Sequence, residues 1–221
     1  MSAPSAKMPL RLYLVRHGET AWSISGQHTG STDLPLTAHG EDEARALAPW
    51  LHGIRFDHVL TSPRQRAQRT CELAGLALTK EVEPDLAEWD YGDYEGRRSP
   101  DICKLRPGWK LFRDGCPGGE ISAQVSARAD HLIKRLCTMT GNVALFSHGE
   151  FSCALAVRWI GLPVADAQHL SLGTASLNIL GSNPSHPETR VIALWNAAPG
   201  LFADGSIRRS PGPEAGRMPA A

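Results

Sequence analysis

Two short apolar runs, each ending abruptly in a His-Gly corner, constrain this chain more than any other feature. Leu10 to Val15 (LRLYLV) carries β-branched and aromatic members and stops at the polar RHGET, the pattern of a buried strand running into a loop. Val143 to Phe146 follows the turn Gly141-Asn142 and stops in the same way at SHGE. Between them, Thr37, with Glu41 close behind, opens a segment whose Ala44, Leu47, Ala48 and Leu51 recur at helical spacing before Gly53, which predicts a helix over Thr37 to His52. Phe56 to Thr61 (FDHVLT) reads as a strand, and Ser62-Pro63 opens a helix through about Gly75, with Pro at an early helical position. A further helix runs from near Glu120 to Met139, and another from Phe151 to Ile160 before Gly161 and Pro163.

Apolar strands alternating with amphipathic helices predict an α/β fold, a three-layer sandwich with a central, mostly parallel sheet flanked by helices. Ligands of such sheets gather outside the carboxyl ends of the strands. Both His-Gly corners sit at such ends. Residues 83–119 are poor in periodicity and rich in Gly, Pro, Trp and charge, and read as a loop-rich insertion over the mouth of the site. At 221 residues, 42% of them hydrophobic, one domain over 10–200 accounts for the chain. Residues 1–9 and the tail 201–221 carry too little apolar surface to pack and are expected to be disordered.

Lys plus Arg (23) balances Asp plus Glu (23), so no overall field draws the chain to nucleic acid or to a membrane surface. No apolar run reaches membrane-spanning length, and the N-terminus lacks the apolar core of a signal peptide; the expectation is a cytoplasmic protein. The five cysteines are odd in number and lack a CxxC pair, which points to reduced thiols. Also missing are GxxxxGK[ST], GxGxxG after the first strand, GxSxG, HExxH and any cysteine-rich metal pattern. No metal or cofactor is therefore expected. The anticipated partner is a small molecule, with a homo-oligomer left open.

What remains is His17, between Arg16 and Gly18-Glu19, and His148, followed by Gly149-Glu150. A neutral imidazole attacks phosphorus if it is held in one tautomer beside a bound anion. Arg16 supplies a planar fork suited to phosphate oxygens. A glycine beside each His allows close backbone approach to a ligand and offers an N–H. Alone, RHG says little, because a buried His at a strand end is more often simply hydrogen-bonded.

Six motifs in order change that: LVRHGET (Leu14 to Thr20), GQHTGSTDLPLT (Gly26 to Thr37), TSPRQRAQRT (Thr61 to Thr70), LAEWDYGDYEG (Leu86 to Gly96), PGGE (Pro117 to Glu120) and FSHGE (Phe146 to Glu150). Together they closely resemble the histidine phosphatase superfamily, which includes cofactor-dependent phosphoglycerate mutases and many phosphatases. With RDGC (Arg113 to Cys116), they look most like its sugar-bisphosphatase branch, acting on sedoheptulose 1,7-bisphosphate and fructose 1,6-bisphosphate. The resemblance implies that His17 becomes the phosphohistidine, that Arg16, Arg66 and His148 complete the phosphate pocket, and that Glu88 protonates the leaving oxygen and then activates water. Thr29, Gly30 and Tyr91 match positions that touch substrate in mutases.

In-line phosphoryl transfer needs cationic stabilisation of the equatorial oxygens, here expected from two arginines and a protonated His148. Burial under Trp89 and Tyr91 is expected to raise the pKa of Glu88. Asp33 reads as a turn former before Pro35. A second phosphate would call for further cations, with Arg64, Lys104, Arg113 and His28 as candidates. The chain departs from the resemblance at Ser23, where many members have Asn, and at Ile121, where members usually have Ser or Thr. Ser23 favours a phosphatase over a mutase; Ile121 removes a hydroxyl that could cap a helix or touch substrate. A non-catalytic phosphate-binding module is the alternative of another class.

Overall fold

The computed structural model describes residues 9–77 and 80–199; the expectation of disorder for 1–8 and 201–221 lies outside them. A six-stranded sheet forms the middle layer, in the order β3-β2-β4-β1-β5-β6. Its strands are β1 (Arg11–Arg16), β2 (His58–Thr61), β3 (Lys80–Val82), β4 (Asn142–Ser147), β5 (Leu177–Ser182) and β6 (Arg190–Ala197). β3, β2, β4 and β1 run parallel, while β5 and β6 add an antiparallel edge beside β1.

Side chains alternate across a strand, so an apolar run must be covered on both faces. From β1, Leu12 and Leu14 pack with α7 (Ser122–Leu136) and α8 (Gly149–Trp159). Tyr13 and Val15 join the opposite cluster with Leu47, Leu51, Ala67 and Cys71. Leu47 lies between α2 (Ala38–Ala46) and α3 (Ala48–Leu51), Leu51 ends α3, and Ala67 and Cys71 belong to α4 (Gln65–Leu73). The three expected layers are present. β1 and β4 lie side by side in register, Val15 opposite Phe146 and Arg16 opposite Ser147, so both His-Gly corners emerge at one sheet edge.

Several expectations need correction. The helix expected over Thr37 to His52 starts as read, with the Thr37 hydroxyl accepting the Gly40 N–H at 2.9 Å, but it breaks at Leu47. Pro49, in the first turn of α3, has no N–H to continue the ladder. α4 begins at Gln65, two residues after Pro63. β3, β5 and β6 were not anticipated. The insertion 83–119 is more ordered than its sequence suggests: it holds α5 (Ser99–Leu105), α6 (Leu111–Asp114) and 3-10 turns at Pro84–Leu86 and Gly92–Tyr94. Its Trp89, Tyr91, Tyr94, Ile102, Trp109 and Phe112 are buried in the main core, which fixes it to the sheet as part of the domain. A remaining short helix, α1 (Ala21–Ser25), follows the first His-Gly corner.

Candidate active site

His17 leaves the end of β1 with its backbone N–H donating to Ser147 at 3.0 Å and its carbonyl accepting from Ala175. Its ring Nδ1 lies 2.7 Å from the Gly18 carbonyl oxygen. A carbonyl only accepts, so Nδ1 carries the hydrogen and the lone pair of the neutral ring sits on Nε2. Burial, reinforced by Arg66 and then Arg16, holds the imidazole pKa well below its ordinary value. At neutral pH this ring is uncharged and in a single tautomer, the state in which an imidazole can act as a nucleophile.

Gly18 has a different reason to be glycine from the one the sequence suggests. A Cβ there would come within 2.3 Å of the Gly40 carbonyl oxygen, and its N–H donates to Thr70 Oγ1 at 3.0 Å rather than being free for a ligand. Thr70 in turn donates to the Arg66 carbonyl at 2.7 Å. The first turn of α2 and the middle of α4 thus clamp the loop that carries His17.

Arg66 on α4 is fully buried. Its Nε donates to His148 Nδ1 at 3.2 Å, its Nη1 to the Thr32 carbonyl at 3.0 Å and its Nη2 to the Thr29 carbonyl at 2.9 Å. Arginine only donates, so His148 Nδ1 is unprotonated and its Nε2 carries the hydrogen, 2.7 Å from Ser62 Oγ. Burial, with Arg66 foremost among the neighbouring charges, holds the His148 pKa well below its ordinary value. The expected imidazolium is therefore a neutral ring in this site; the fixed positive charge resides on the two guanidinium groups. The rings of His17 and His148 stand 5.2 Å apart.

Arg16 donates from Nη1 to the Leu172 carbonyl, while its Nε is buried without a partner. A Cβ on Gly149 would sit 3.4 Å from that Nε, so glycine lets the guanidinium lie close against the start of α8.

Glu88 is held from the far side of the cavity. Oε1 accepts from the backbone N–H of Trp89 (2.9 Å) and Phe151 (2.7 Å), and Oε2 from that of Glu150 (3.1 Å). Two of those donors belong to the first turn of α8, whose N–H groups have no partners within the helix. The loop itself hangs on Arg128 of α7. Its Nη1 donates to the carbonyls of Asp85 (2.8 Å) and Ala87 (2.7 Å), and its Nη2 to that of Glu88 (3.3 Å). Its fork grips both oxygens of Glu120, and Glu120 Oε2 accepts the Asp90 N–H at 3.0 Å. The PGGE glutamate is thus a strut for the Glu88 loop.

Arg16, His17, Glu88, Glu150 and Tyr91 line one cavity of about 370 Å³, with Ser23, Gln27, His28, Thr29, Ser99 and Ser171 among its other walls. That volume suits a small ligand. The fold resembles one from Mycobacterium tuberculosis, that of a functionally characterised open reading frame: TM-score 0.80, 40% identity, covering 85% of this chain and 97% of that one. The family profile described as histidine phosphatase superfamily (branch 1) matches residues 12–197. The chain belongs to the histidine phosphatase superfamily. An acid phosphatase of Mycobacterium tuberculosis is 43% identical, over 83% of this chain and 92% of that protein. A sedoheptulose 1,7-bisphosphatase of Saccharomyces cerevisiae is 35% identical, over 70% of this chain and 69% of that protein. The chain is a phosphatase of this superfamily, acting on phosphorylated compounds.

The superfamily motifs distribute unevenly around this cavity. Ser23, Thr29, Tyr91 and His28 line it. The Ser23 hydroxyl accepts the Thr20 N–H at 2.9 Å in the cap of α1. Gly30 lies behind, donating to Glu95. His28 is stacked on Tyr91 with ring centroids 4.5 Å apart, and burial lowers its pKa to about 4, so it is no cation at neutral pH. Three expected cations lie off the cavity wall. Arg113 pairs with Asp114 at its side; Lys104 pairs with Asp101 and lines an adjoining cavity with Arg97 and Arg98; Arg64 stands at the N-cap position of α4 without a side-chain capping bond. Asp33 Oδ1 accepts the Gln65 N–H at 2.9 Å, tying its turn to α4. Ile121 is the N-cap of α7 and half exposed, outside the cavity, so the missing hydroxyl is a lost cap rather than a lost substrate contact. Sequence reasoning missed Arg128 and Glu150. The first carried no motif signal; the second stood in the SHGE corner itself.

Proposed function

We propose that this phosphatase hydrolyses phosphomonoesters of small sugars through a phosphohistidine intermediate on His17. The observation that carries the reading is the His17 ring, fixed as the Nδ1–H tautomer, flanked by two guanidinium groups and lining a cavity walled by hydroxyl and amide side chains. Nε2 forms a bond to phosphorus as the ester P–O bond breaks, and Glu88 hands a proton to the leaving oxygen. Water then attacks the phosphohistidine, giving its proton to Glu88 and releasing phosphate, which restores both residues. Arg16 and Arg66 offset the charge on the equatorial oxygens in both steps. The substrate is its one partner in this reading, a homo-oligomer is compatible with it, and the setting is the cytoplasm. Among the described residues no helix is long and apolar enough to cross a membrane.

A sugar bisphosphate of the sedoheptulose 1,7-bisphosphate or fructose 1,6-bisphosphate type is the second reading, favoured by the 35% identity to the yeast bisphosphatase. The test is phosphate release across sugar phosphates, sugar bisphosphates and phosphoglycerates, with His17→Ala as blank. Radiolabel from a turned-over substrate should remain on the protein in base and leave it in acid, as a phosphoramidate does. Isomerisation of phosphoglycerate that depends on added bisphosphate, without phosphate release, would make the chain a mutase. Ligand binding unchanged in His17→Ala, with no turnover by either protein, would make it a binding module.

A further inference from the structure

The cavity is not uniformly basic. Among its lining residues Arg16 is the only Lys or Arg, against the two carboxyl groups of Glu88 and Glu150. Arg66 adds positive charge from behind His17 and His148, so the cationic end is the one where the reacting phosphate must sit. Away from it, the walls carry the neutral side chains of Ser23, Gln27, Thr29, Ser99 and Ser171, which leave a second dianion without a counter-charge.

Glu150 gives this asymmetry its sign. It is the second residue of α8, its backbone N–H is engaged with Glu88, and it is half-buried at the cavity it lines. We propose that Glu150 is a specificity-determining residue that makes the site prefer monophosphates with a neutral, hydroxyl-bearing remainder and disfavour a second phosphate on the same substrate. This rests on the phosphatase reading and narrows its substrate class.

The preference depends on pH, because burial, reinforced by the charge of Glu88 and opposed by Arg16, brings the Glu150 carboxyl up to about 7. The other titratable groups around it do not reverse the sign. His17 and His28 have lowered pKa values and are neutral; Tyr91 and Cys153 have raised ones and are neutral as well. Above pH 7 the wall carries the charge of Glu150, and below it a proton-bearing carboxyl able to donate to a hydroxyl. Arg97, Arg98 and Lys104 in the adjoining cavity are the rival counter-charges for a second phosphate, but Arg98 and Lys104 already pair with Asp101.

Fructose 1,6-bisphosphate carries the reacting phosphate of either fructose 1-phosphate or fructose 6-phosphate, so the kcat/KM of the better monophosphate over that of the bisphosphate, at pH 6 and pH 8, is the readout. Wild type should favour the monophosphate on the order of tenfold at pH 8, and less at pH 6. Glu150→Gln should bring the two ratios together near the pH 6 value. An equal or better bisphosphate in wild type at pH 8, or a ratio unmoved by Glu150→Gln, overturns the proposal. So does a bisphosphate preference abolished by Arg97→Ala. Calorimetric binding of both sugars to His17→Ala, with and without Glu150→Gln, separates this idea from the phosphatase reading. A monophosphate preference that persists in binding while no protein turns over sinks the catalytic reading and supports this one.

Discussion

Arg128 touches no side chain expected to react, yet the structure makes it decide where Glu88 stands. Its guanidinium donates five hydrogen bonds, three to the backbone of the Glu88 loop and two to Glu120, and lies 4.1 Å from the centroid of Phe151. Phe151 supplies the 2.7 Å backbone donor to Glu88. The pair with Glu120 is mostly buried, at 16% and 20% side-chain exposure. Removing one partner of a buried pair costs about 3–5 kcal/mol, so Arg128→Ala should lower Tm by roughly 10 °C in a domain of this size. Arg128→Lys keeps the charge but loses the fork, and should cost about 1–2 kcal/mol. Displacement of Glu88 by an ångström should reduce kcat about 100-fold, with KM little changed because the phosphate end is untouched. The decisive assay is a double-mutant cycle of Arg128→Lys with Glu88→Gln, read in kcat alongside thermal melts. If Arg128 acts through Glu88, the double variant is no slower than Glu88→Gln. Full multiplication of the two losses, or wild-type kcat in a folded Arg128→Lys, would refute the reasoning.

Three further outcomes follow from the same geometry. Acid should destabilise the fold: between about pH 6.5 and 4.5 the unfolded chain protonates His17, His28 and His148, which the folded chain keeps neutral, whereas Glu150 binds one proton more when folded. Three protons against one give a slope of up to about 2.7 kcal/mol per pH unit, with stability falling as pH falls; melting curves that are flat or rise from pH 6.5 to 5 would contradict it. Ile121→Thr should stabilise by about 1 kcal/mol, because Gln124 already accepts the Ile121 N–H at 2.9 Å and only the reciprocal side-chain acceptor is missing; an unchanged urea midpoint would count against that. Gly18→Ala should lower both stability and kcat, since its Cβ would meet the rigid Gly40 backbone at 2.3 Å; a wild-type Tm would show that the loop yields.

The parts of this molecule that were legible in its sequence are those where one strand dictates the outcome. β1 and β4 announce themselves because an apolar run buried on both faces must end where polar residues begin, and that boundary is the His-Gly corner. β6 gave no such signal, being an edge strand with no fully buried residue, and β3 is only three residues long. Arg64, Lys104 and Arg113 were plausible phosphate ligands by charge alone. Lys104 and Arg113 pair with carboxylates three residues away and adjacent, partners a mobile side chain reaches without crossing the mouth. Arg64 flanks the buried guanidinium of Arg66 at the start of α4. The donors that orient Glu88 are backbone N–H groups, which every residue has and no motif can reveal.

That distribution of charge bears directly on catalysis. Burial first, and then the positive charge of Arg66 and Arg16, lowers the pKa of His17 and His148, so the groups proposed to bind the dianion also keep the proposed nucleophile unprotonated before it arrives. A phosphate dianion entering the pocket opposes the arginines' field at both rings and favours their protonation. For His148, a proton at Nδ1 would require Arg66 Nε to give up its contact there. His17 differs because its Nδ1–H is already engaged with the Gly18 carbonyl and, in the proposed reaction, its Nε2 lone pair is consumed by the bond to phosphorus. Two histidines of similar burial and similar charge surroundings are thus separated in role by one hydrogen bond each. Exchanging Arg66 for Lys tests the separation: it keeps the charge but removes the Nε contact, so kcat/KM should fall while the pH at which His17 loses nucleophilicity, read from the rate of phosphoenzyme formation, stays below the ordinary histidine value.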